Sequence, residues 1–413
     1  MLRLSERVTA LKAPATLAVM AKAKALARQG VDIVSFSTGE PDFDTPEPIR
    51  RAAIKALESG QTHYMPTLGD PETRAVIAEK LTHENGLPGV TGDHVAISTG
   101  AKQSLYLVAH CLLGDPGADE VLLPVPAWVS YAPIAGLAGG RVVEIPTAAS
   151  NGFRMTPEQL RAAITPRSRM LILNTPSNPC GTMHTPEELR ALAGVIAEAA
   201  ATVAPQLTVV VDEIYEKIVY GGIPHFSVGS LPAVAERTVT INGLSKAFAM
   251  TGWRVGYAAA SGDFGLRLIK GMDALQGQMT SCITSFLYPA IRVALKECGE
   301  HHAAFRDEFA KRARLMDERA RAIPGMDAPK PTGAFYLFPD ISAWFGRRSA
   351  GGAELKSSID VAAALLEEAH VAVVPGEEFG GAGKNHIRFS FACSEETINK
   401  GMDRVARFVA GLK

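Results

Sequence analysis

Cysteine is scarce in this sequence, and the few cysteines form no known pattern. Only five of the 413 residues are cysteines, and no two of them make a CxxC pair. We therefore expect neither a disulfide framework nor a zinc site, and a reducing, cytoplasmic compartment is the expected location. The five are Cys111, Cys180, Cys282, Cys298 and Cys393.

An excess of one charge and a long apolar run are missing as well. The formal net charge is −1 at pH 7, whereas a general nucleic-acid binder usually carries a basic surplus. The most apolar stretch, residues 193–211, is interrupted by Glu198 and Pro205, so we expect no membrane span. The N-terminal "MLRLSERVTALKAP" lacks the apolar core of a signal peptide.

Common ligand motifs are also absent. "FGGAGKN" (379–385) contains Gly-Lys but lacks the spacing of a P-loop, and no GxGxxG follows an apolar run. The ten histidines show no spacing typical of metal ligands. The sequence therefore predicts neither a dinucleotide site nor a metal site.

Short apolar runs do occur, and helical patterns lie between several of them. The runs are 94–98, 120–124, 141–146, 169–174, 207–212, 238–242 and 254–260. They are continuously apolar rather than alternating, which is typical of strands covered on both faces. This pattern predicts an α/β domain over residues 49–297, with a mostly parallel seven-stranded sheet covered by helices.

The C-terminal part has a different pattern. A long charged helix is predicted over 301–323, another near 359–369 and a last one from about Ser394, with short apolar segments between them. We expect a smaller α+β domain over residues 298–413, with the N-terminal segment 1–48 packing onto it.

Polar residues collect where the apolar runs end, which is where open α/β sheets bind ligands. Taken singly, each has a structural explanation, such as a strand-to-helix turn at Gly100, core packing for Trp128 or a helix cap at Asp212. Tyr215, three residues after Asp212, is predicted to share a helical face with it. The candidates at these ends are Gly100, Ala101, Lys102, Trp128, Asn178, Asp212, Tyr215, Ser245 and Lys246.

Together these residues suit one kind of ligand, a flat phosphorylated pyridine aldehyde. Lys246 would form a Schiff base with the aldehyde, and Asp212 would pair with the protonated ring nitrogen. Trp128 would stack on the ring. Arg254 and the helix start at Gly100 would hold the phosphate.

The motifs, taken in order, resemble those of class I aminotransferases of the pyridoxal-phosphate fold-type I superfamily, within the bacterial aspartate aminotransferase branch. The resemblance covers nearly the whole chain and includes "STGEPDFDTP", "STGAKQSLY", "NTPSNPCGT", "VVDEIYEKIVY", "NGLSKAFAMTGWRVGY" and "IRFSFACS". It implies a transaminase that uses pyridoxal 5'-phosphate, acts by a ping-pong mechanism and forms a homodimer.

The resemblance also implies roles for the cofactor residues. Lys246 should carry the cofactor and move the proton between the substrate α-carbon and the cofactor C4′. Asp212 should contact the pyridine nitrogen, and the ring's phenolic oxygen should receive hydrogen bonds from Tyr215 and Asn178. Burial near Arg254 is expected to lower the pKa of Lys246. The residues implied for the phosphate are Ser245, Arg254 and the backbone of Gly100, Ala101 and Lys102.

The substrate residues follow from the same resemblance. Gly39 and Arg388 should receive the α-carboxylate, together with Asn178 and beside Trp128. Lys102 and Lys12 should bind the side-chain carboxylate of a dicarboxylic substrate. The reaction implied is L-aspartate plus 2-oxoglutarate to oxaloacetate plus L-glutamate. Tyr64, in "HYMPTLG", should reach the phosphate in the site of the neighbouring subunit.

Two departures from the family pattern leave alternatives open. Cys180 replaces the usual threonine in "NPCG", for which we expect a structural consequence only. Ser37 and Thr38 leave the substrate entrance somewhat open, so aromatic or prephenate substrates are alternatives. A lyase of the same fold, like aminocyclopropane-carboxylate synthase, would use the same cofactor contacts. A regulatory binding protein is disfavoured because a basic DNA-binding module is missing.

Overall fold

A computed structural model of the protein describes residues 3–9, 11, 15–114 and 116–413. The strands are β1 (Val34–Ser35), β2 (Val95–Thr99), β3 (Glu120–Val125), β4 (Arg141–Pro146), β5 (Ser168–Asn174), β6 (Thr208–Asp212), β7 (Thr238–Gly243), β8 (Val255–Ala260), β9 (Tyr336–Leu337), β10 (Val371–Ala372), β11 (Val374–Pro375) and β12 (Ile387–Ser390). The α-helices are α1 (Glu6–Thr9), α2 (Ala15–Arg28), α3 (Glu47–Glu58), α4 (Pro71–Asn85), α5 (Ala101–Leu112), α6 (Tyr131–Leu137), α7 (Pro157–Ala163), α8 (Pro186–Ala201), α9 (Gly262–Gly277), α10 (Tyr288–Glu297), α11 (Gly299–Arg321), α12 (Ser358–Glu368) and α13 (Glu395–Ala410).

The central sheet has seven strands in the order β2-β8-β7-β6-β5-β3-β4. Neighbouring strands are parallel except where β8 is involved, because β8 runs antiparallel to both β2 and β7. The other strands therefore end at one edge of the sheet, and β8 begins at that same edge. The predicted α/β class, with its mostly parallel seven-stranded sheet, is confirmed.

Helices cover both faces of this sheet, which explains why its strands are continuously apolar. Along β5, Met170 and Ile172 pack towards α5, α6 and α9, whereas Leu171 and Leu173 pack towards α7 and α8. The edge strand β4 is the exception, since most of its residues are only partly buried or exposed.

Several helices begin at residues that satisfy their free N–H groups. The Asp70 carboxylate accepts from the backbone N–H of Thr73 at the start of α4. Thr185 and Glu188 form a capping box at the start of α8, and a proline follows the cap in both helices. Such local signals explain why α8 begins at Pro186.

The C-terminal part is built on two small sheets with helices α11 to α13 around them. One sheet has the order β11-β12-β9, and in the other β1 pairs in parallel with β10. Val34 and Phe36 share an apolar core with Phe389 and Val405. Val34 and Phe36 of the N-terminal segment thus pack on the C-terminal part, while the division into segments 1–48, 49–297 and 298–413 stays a prediction.

One local prediction is wrong, because Tyr215 does not lie on a helix with Asp212. Strand β6 ends at Asp212, and residues 214–217 form a turn. Ile214, Tyr215 and Ile218 pack into the core of the C-terminal part, so tertiary packing sets the conformation here. Among the described residues, no helix is long and apolar enough to cross a membrane.

Candidate active site

A cavity of about 250 Å³ opens at the edge of the sheet where the parallel strands end. Its walls come from turns after the strands, from the loop after β1 and from β9 and β12. The predicted residues that line it are Gly39, Ala101, Lys102, Trp128, Asn178, Asp212, Tyr215, Ser245, Lys246, Arg254 and Arg388. The topology thus gathers residues that are up to 349 positions apart, from Gly39 to Arg388.

Lys246 lies in the turn between β7 and β8 and is largely screened from solvent. Its Nζ donates a hydrogen bond to the carbonyl oxygen of Gly39 at 2.6 Å. Burial lowers the pKa of Lys246 to about 8, and the positive charges of Arg388 and Arg254 act in the same direction. The predicted lowering of this pKa agrees with the structure, and it leaves part of the amine neutral and nucleophilic near pH 7.

Asp212 ends β6 and is held by a residue that the sequence did not single out. Tyr131, the first residue of α6, donates its hydroxyl to Oδ2 of Asp212 at 2.7 Å. The N–H of Ile214 donates to Oδ1 at 3.2 Å. Burial raises the pKa of Asp212 to about 6, and both hydrogen bonds oppose that rise. Tyr131 follows Trp128 by three residues, but nothing in that spacing indicates contact with Asp212.

Arg388 lies on β12 with its guanidinium buried against the cavity. Nη1 donates to Oδ1 of Asn178 at 3.0 Å, and Nη2 donates to the carbonyl of Ser37 at 2.8 Å. Its Nε is buried and finds no acceptor among the described residues. Because buried donors are nearly always paired, this free N–H fits a guanidinium that receives a carboxylate from a ligand.

The start of α5 and Arg254 form an anion cradle. Gly100 has φ of 81° and has no side chain to cap the first N–H groups of α5. A Cβ atom at Gly100 would lie 2.4 Å from Nη2 of Arg254, so only glycine lets the arginine approach the helix start. Arg254 reaches this edge because β8, which follows it, runs antiparallel to its neighbours. The cradle fits the phosphate of the expected cofactor.

Trp128 and Lys102 lie together at the cavity wall. The Lys102 ammonium is 4.8 Å from the centre of the Trp128 ring, which is within cation–π range. Partial burial and the nearby charge of Arg254 lower the pKa of Lys102. Lys102 is therefore a cation of the cavity wall in addition to Arg388, Lys246 and Arg254.

Two of the predicted residues that the structure describes lie outside the cavity lining. Gly100 is next to Arg254 but does not line the cavity itself. Tyr64 is 90% exposed and also lies outside the lining. Lys12 falls outside the described residues. Cys180, the departure in "NPCG", is buried in an apolar cluster with Phe153 and Phe338, and its purely structural effect stays a prediction.

A buried ionic cluster lies outside this cavity. The Lys80 ammonium bonds to Glu216 and Asn85, and Asn85 also donates to Glu213. Glu213, Glu216 and His225 could also meet around a metal ion, but the Lys80 ammonium already neutralises Glu216 there. The cluster therefore has the character of an internal ion pair.

Known proteins resemble this chain over its whole length. The family model described as "Aminotransferase class I and II" matches residues 31–405. The aspartate/prephenate aminotransferase of Cereibacter sphaeroides is 41% identical over 99% of this chain and 99% of its own. The aspartate aminotransferase of Geobacillus stearothermophilus is 41% identical with the same coverage. The solved aspartate aminotransferase structure from Rhizobium meliloti has a TM-score of 0.93 at 39% identity and covers 100% of both chains.

Proposed function

Because the chain belongs to the class I and II aminotransferases, and is therefore a transaminase, we propose that it binds pyridoxal phosphate on Lys246 and uses L-aspartate and 2-oxoglutarate. The products would be oxaloacetate and L-glutamate. The observation that supports this most is the meeting of Lys246, Asp212 and Arg388 in one cavity at the sheet edge. They offer an amine, a carboxylate and a free guanidinium N–H.

Different residues around the cavity would bind the phosphate, the ring nitrogen, the ring face and the ring oxygen of the cofactor. When bound, pyridoxal phosphate supplies an aldehyde carbon and a ring that accepts an electron pair. Arg254, Ser245 and the N–H groups at the start of α5 would hold its phosphate. Asp212 would keep a proton on the ring nitrogen, with Tyr131 fixing the carboxylate by its hydrogen bond. Trp128 would cover one ring face, and Tyr215 and Asn178 would face the ring oxygen.

Lys246 would also act as the base of the reaction. A pKa of about 8 lies near the operating pH, which suits a group that must both accept and return a proton. Its Nζ would take the proton from the substrate α-carbon. The contact with the Gly39 carbonyl places this amine beside the loop that carries Gly39, next to the proposed carboxylate site of Arg388.

Among the described lining residues, Arg388 and Lys102 are the cations left once Lys246 and Arg254 are assigned to the cofactor, and this pair favours a dicarboxylic substrate. Arg388 would bind the α-carboxylate through its fork of N–H groups. Lys102 would bind the side-chain carboxylate, with its ammonium held near Trp128 at 4.8 Å from the ring centre. Lys12 is proposed as a further contact for acidic substrates. Prephenate is the second candidate substrate, because a relative at 41% identity is named for aspartate and prephenate together.

We also propose a homodimer in the cytoplasm. Tyr64 is 90% exposed, and Ile54 and Leu57 on α3 and Met279 after α9 are exposed apolar side chains as well. Exposed apolar residues of this size are candidates for contact with a second copy. In such a dimer Tyr64 would contact the phosphate in the partner's site. The five cysteines are free, which suits a reducing compartment.

Steady-state kinetics with a panel of amino donors tests the substrate assignment. We expect aspartate to be a good donor with 2-oxoglutarate, and Lys102→Ala to lower kcat/KM for aspartate roughly 10- to 150-fold, the loss of one charge-assisted contact of about 1.5–3 kcal/mol. Activity with an aromatic donor should change little, and Lys311→Ala, on the exposed side of α11, serves as the control. Inert aspartate, or equal losses for both donors, would contradict the dicarboxylate proposal.

A further inference from the structure

Tyr336 touches three predicted residues of the site, yet no motif gave it a role. It is the first residue of β9, which pairs with β12 so that Ser390 lies opposite Tyr336. Its side chain is fully buried and lines the cavity. A Cβ atom on Gly39 would lie 3.0 Å from the Tyr336 hydroxyl, so Tyr336 also defines the space beside Gly39.

The hydroxyl of Tyr336 meets the hydroxyl of Tyr215 at 2.8 Å. Burial raises the pKa of both phenols, so each keeps its proton at neutral pH. Among the described residues, the Tyr336 hydroxyl forms no other hydrogen bond, and geometry alone allows either phenol to be the donor. The proposed role of Tyr215 uses its proton in the cavity, which leaves its oxygen to accept and makes Tyr336 the donor of the pair.

The ring of Tyr336 has a separate contact. The Arg388 guanidinium carbon lies 4.7 Å from the centre of the Tyr336 ring and 5.4 Å from that of Phe379. Stacking against aromatic rings suits a planar guanidinium. Because Arg388 is buried, the two rings restrict the plane in which its free Nε can meet a carboxylate.

We infer that Tyr336 is a positioning residue with two separable effects, an inference that rests on the proposed function. Its hydroxyl directs the Tyr215 phenol to donate into the cavity, and its ring fixes the plane of the Arg388 guanidinium. Phenylalanine would keep the second effect and lose the first, whereas leucine would lose both.

The first effect is tested on the enzyme loaded with pyridoxal phosphate, by titrating the absorbance of the bound chromophore. A hydrogen bond from Tyr215 withdraws electron density from the ring oxygen and so disfavours the protonated chromophore. Tyr336→Phe should weaken that bond and raise the chromophore pKa by about half a unit, less than the roughly one unit expected for Tyr215→Phe. Tyr220→Phe is the matched control, since the Tyr220 hydroxyl donates to the Ala334 carbonyl at 2.7 Å, outside the cavity lining. We expect no shift in this control.

The second effect is tested by the dissociation constant of succinate, a non-reactive dicarboxylate. Tyr336→Leu should weaken succinate binding about tenfold, as expected for a buried cation–π contact, and Tyr336→Phe should bind it as the wild type does. The inference is overturned if the chromophore pKa of Tyr336→Phe equals that of the wild type, or if a folded Tyr336→Leu variant binds succinate as tightly as the wild type. Either result leaves the proposed function intact. If Tyr336→Leu does not fold, the Tyr336→Phe titration decides. A wild type that takes up no pyridoxal phosphate, or binds no succinate, overturns both.

Discussion

Removing the Tyr131 hydroxyl is expected to protonate Asp212 at a pH where the wild type keeps it ionised. The hydroxyl donates to the carboxylate at 2.7 Å inside the protein, and the pKa of Asp212 is about 6 with this bond present. A hydrogen bond to a charged group is worth about 1.5–3 kcal/mol, and one pKa unit corresponds to about 1.4 kcal/mol. In Tyr131→Phe the pKa of Asp212 should therefore rise to roughly 7–8.

The pH dependence of stability reports this shift. The folded pKa of Asp212 lies above its usual value of 3.8. The protonated carboxyl therefore contributes most to the stability of the folded state below pH 3.8, and this contribution is lost as the pH rises through the folded pKa. In the wild type the loss is complete just above pH 6, whereas in Tyr131→Phe it continues through pH 7–8. The destabilisation by Tyr131→Phe should thus be larger at pH 8.5 than at pH 5, by about 1.5–3 kcal/mol.

Urea unfolding of the cofactor-free protein at the two pH values measures the difference. Tyr220→Phe again serves as the control, because its hydroxyl donates to the Ala334 carbonyl, which does not titrate. Its destabilisation should be the same at both pH values. An equal loss at pH 5 and pH 8.5 in Tyr131→Phe would refute the view that Tyr131 stabilises the ionised form of Asp212.

Three further changes test other parts of the structure. Gly100→Ala should weaken binding of pyridoxal phosphate at least tenfold, since its Cβ would lie 2.4 Å from Nη2 of Arg254 and close the phosphate cradle. The control Gly86→Ala, at a residue with φ of 70° and only a 3.4 Å contact, should cost stability and leave the affinity for pyridoxal phosphate unchanged. Equal affinities in the two variants would contradict this account. The rate at which the cofactor-free enzyme captures pyridoxal phosphate should rise with pH and level off above an apparent pKa of about 8, the pKa to which burial brings Lys246. Stopped-flow absorbance measures this rate. A midpoint near pH 10 would be inconsistent with a buried amine. Burial raises the pKa of Glu216, but the Lys80 and Lys217 ammonium groups outweigh burial and lower this pKa to about 2 from its usual 4.5. The Lys80–Glu216 ion pair therefore stabilises the fold above pH 4.5 and loses this contribution as the pH falls towards 2. In urea unfolding, Lys80→Met should therefore destabilise the protein by about 3 kcal/mol at pH 7 and by less at pH 3. The control Lys296→Met, at an exposed ion pair, should change the free energy of unfolding little at either pH. Equal destabilisation by Lys80→Met at both pH values would argue against the ion pair.

The sequence predicts the sheet well because burial on both faces leaves a direct record in composition. The continuously apolar sequence of a strand such as Thr208–Asp212 differs from that of an amphipathic helix, in which apolar and polar residues alternate with the helical period. A polar residue that ends such a strand marks the edge of the sheet. This is why Asp212, Asn178 and Lys246 could be assigned to one edge before their contacts were known. The roles of these residues come from the family resemblance and not from the spacing.

The contacts that the sequence did not reveal are those set by tertiary packing. Tyr215 and Tyr336 are 121 residues apart, and neither spacing nor periodicity relates a turn after β6 to a two-residue strand in the C-terminal part. Tyr215 was expected on a helix because its distance from Asp212 suits one, yet apolar packing of Ile214 and Ile218 holds a turn instead. Tyr131 would pass for a core aromatic, since a sequence does not show which buried phenol faces a carboxylate.

Reductive trapping of the cofactor tests the central claim, that Lys246 binds pyridoxal phosphate, most directly. Borohydride should fix the cofactor on the protein, and peptide mass spectrometry should find its added mass on the peptide that contains Lys246. The Lys246→Ala variant should give no labelled peptide, because Lys102, the other lysine that lines the cavity within the described part of the chain, is predicted to bind substrate. Label on Lys102 or on any other lysine of the wild type, with Lys246 unmodified, would contradict the account.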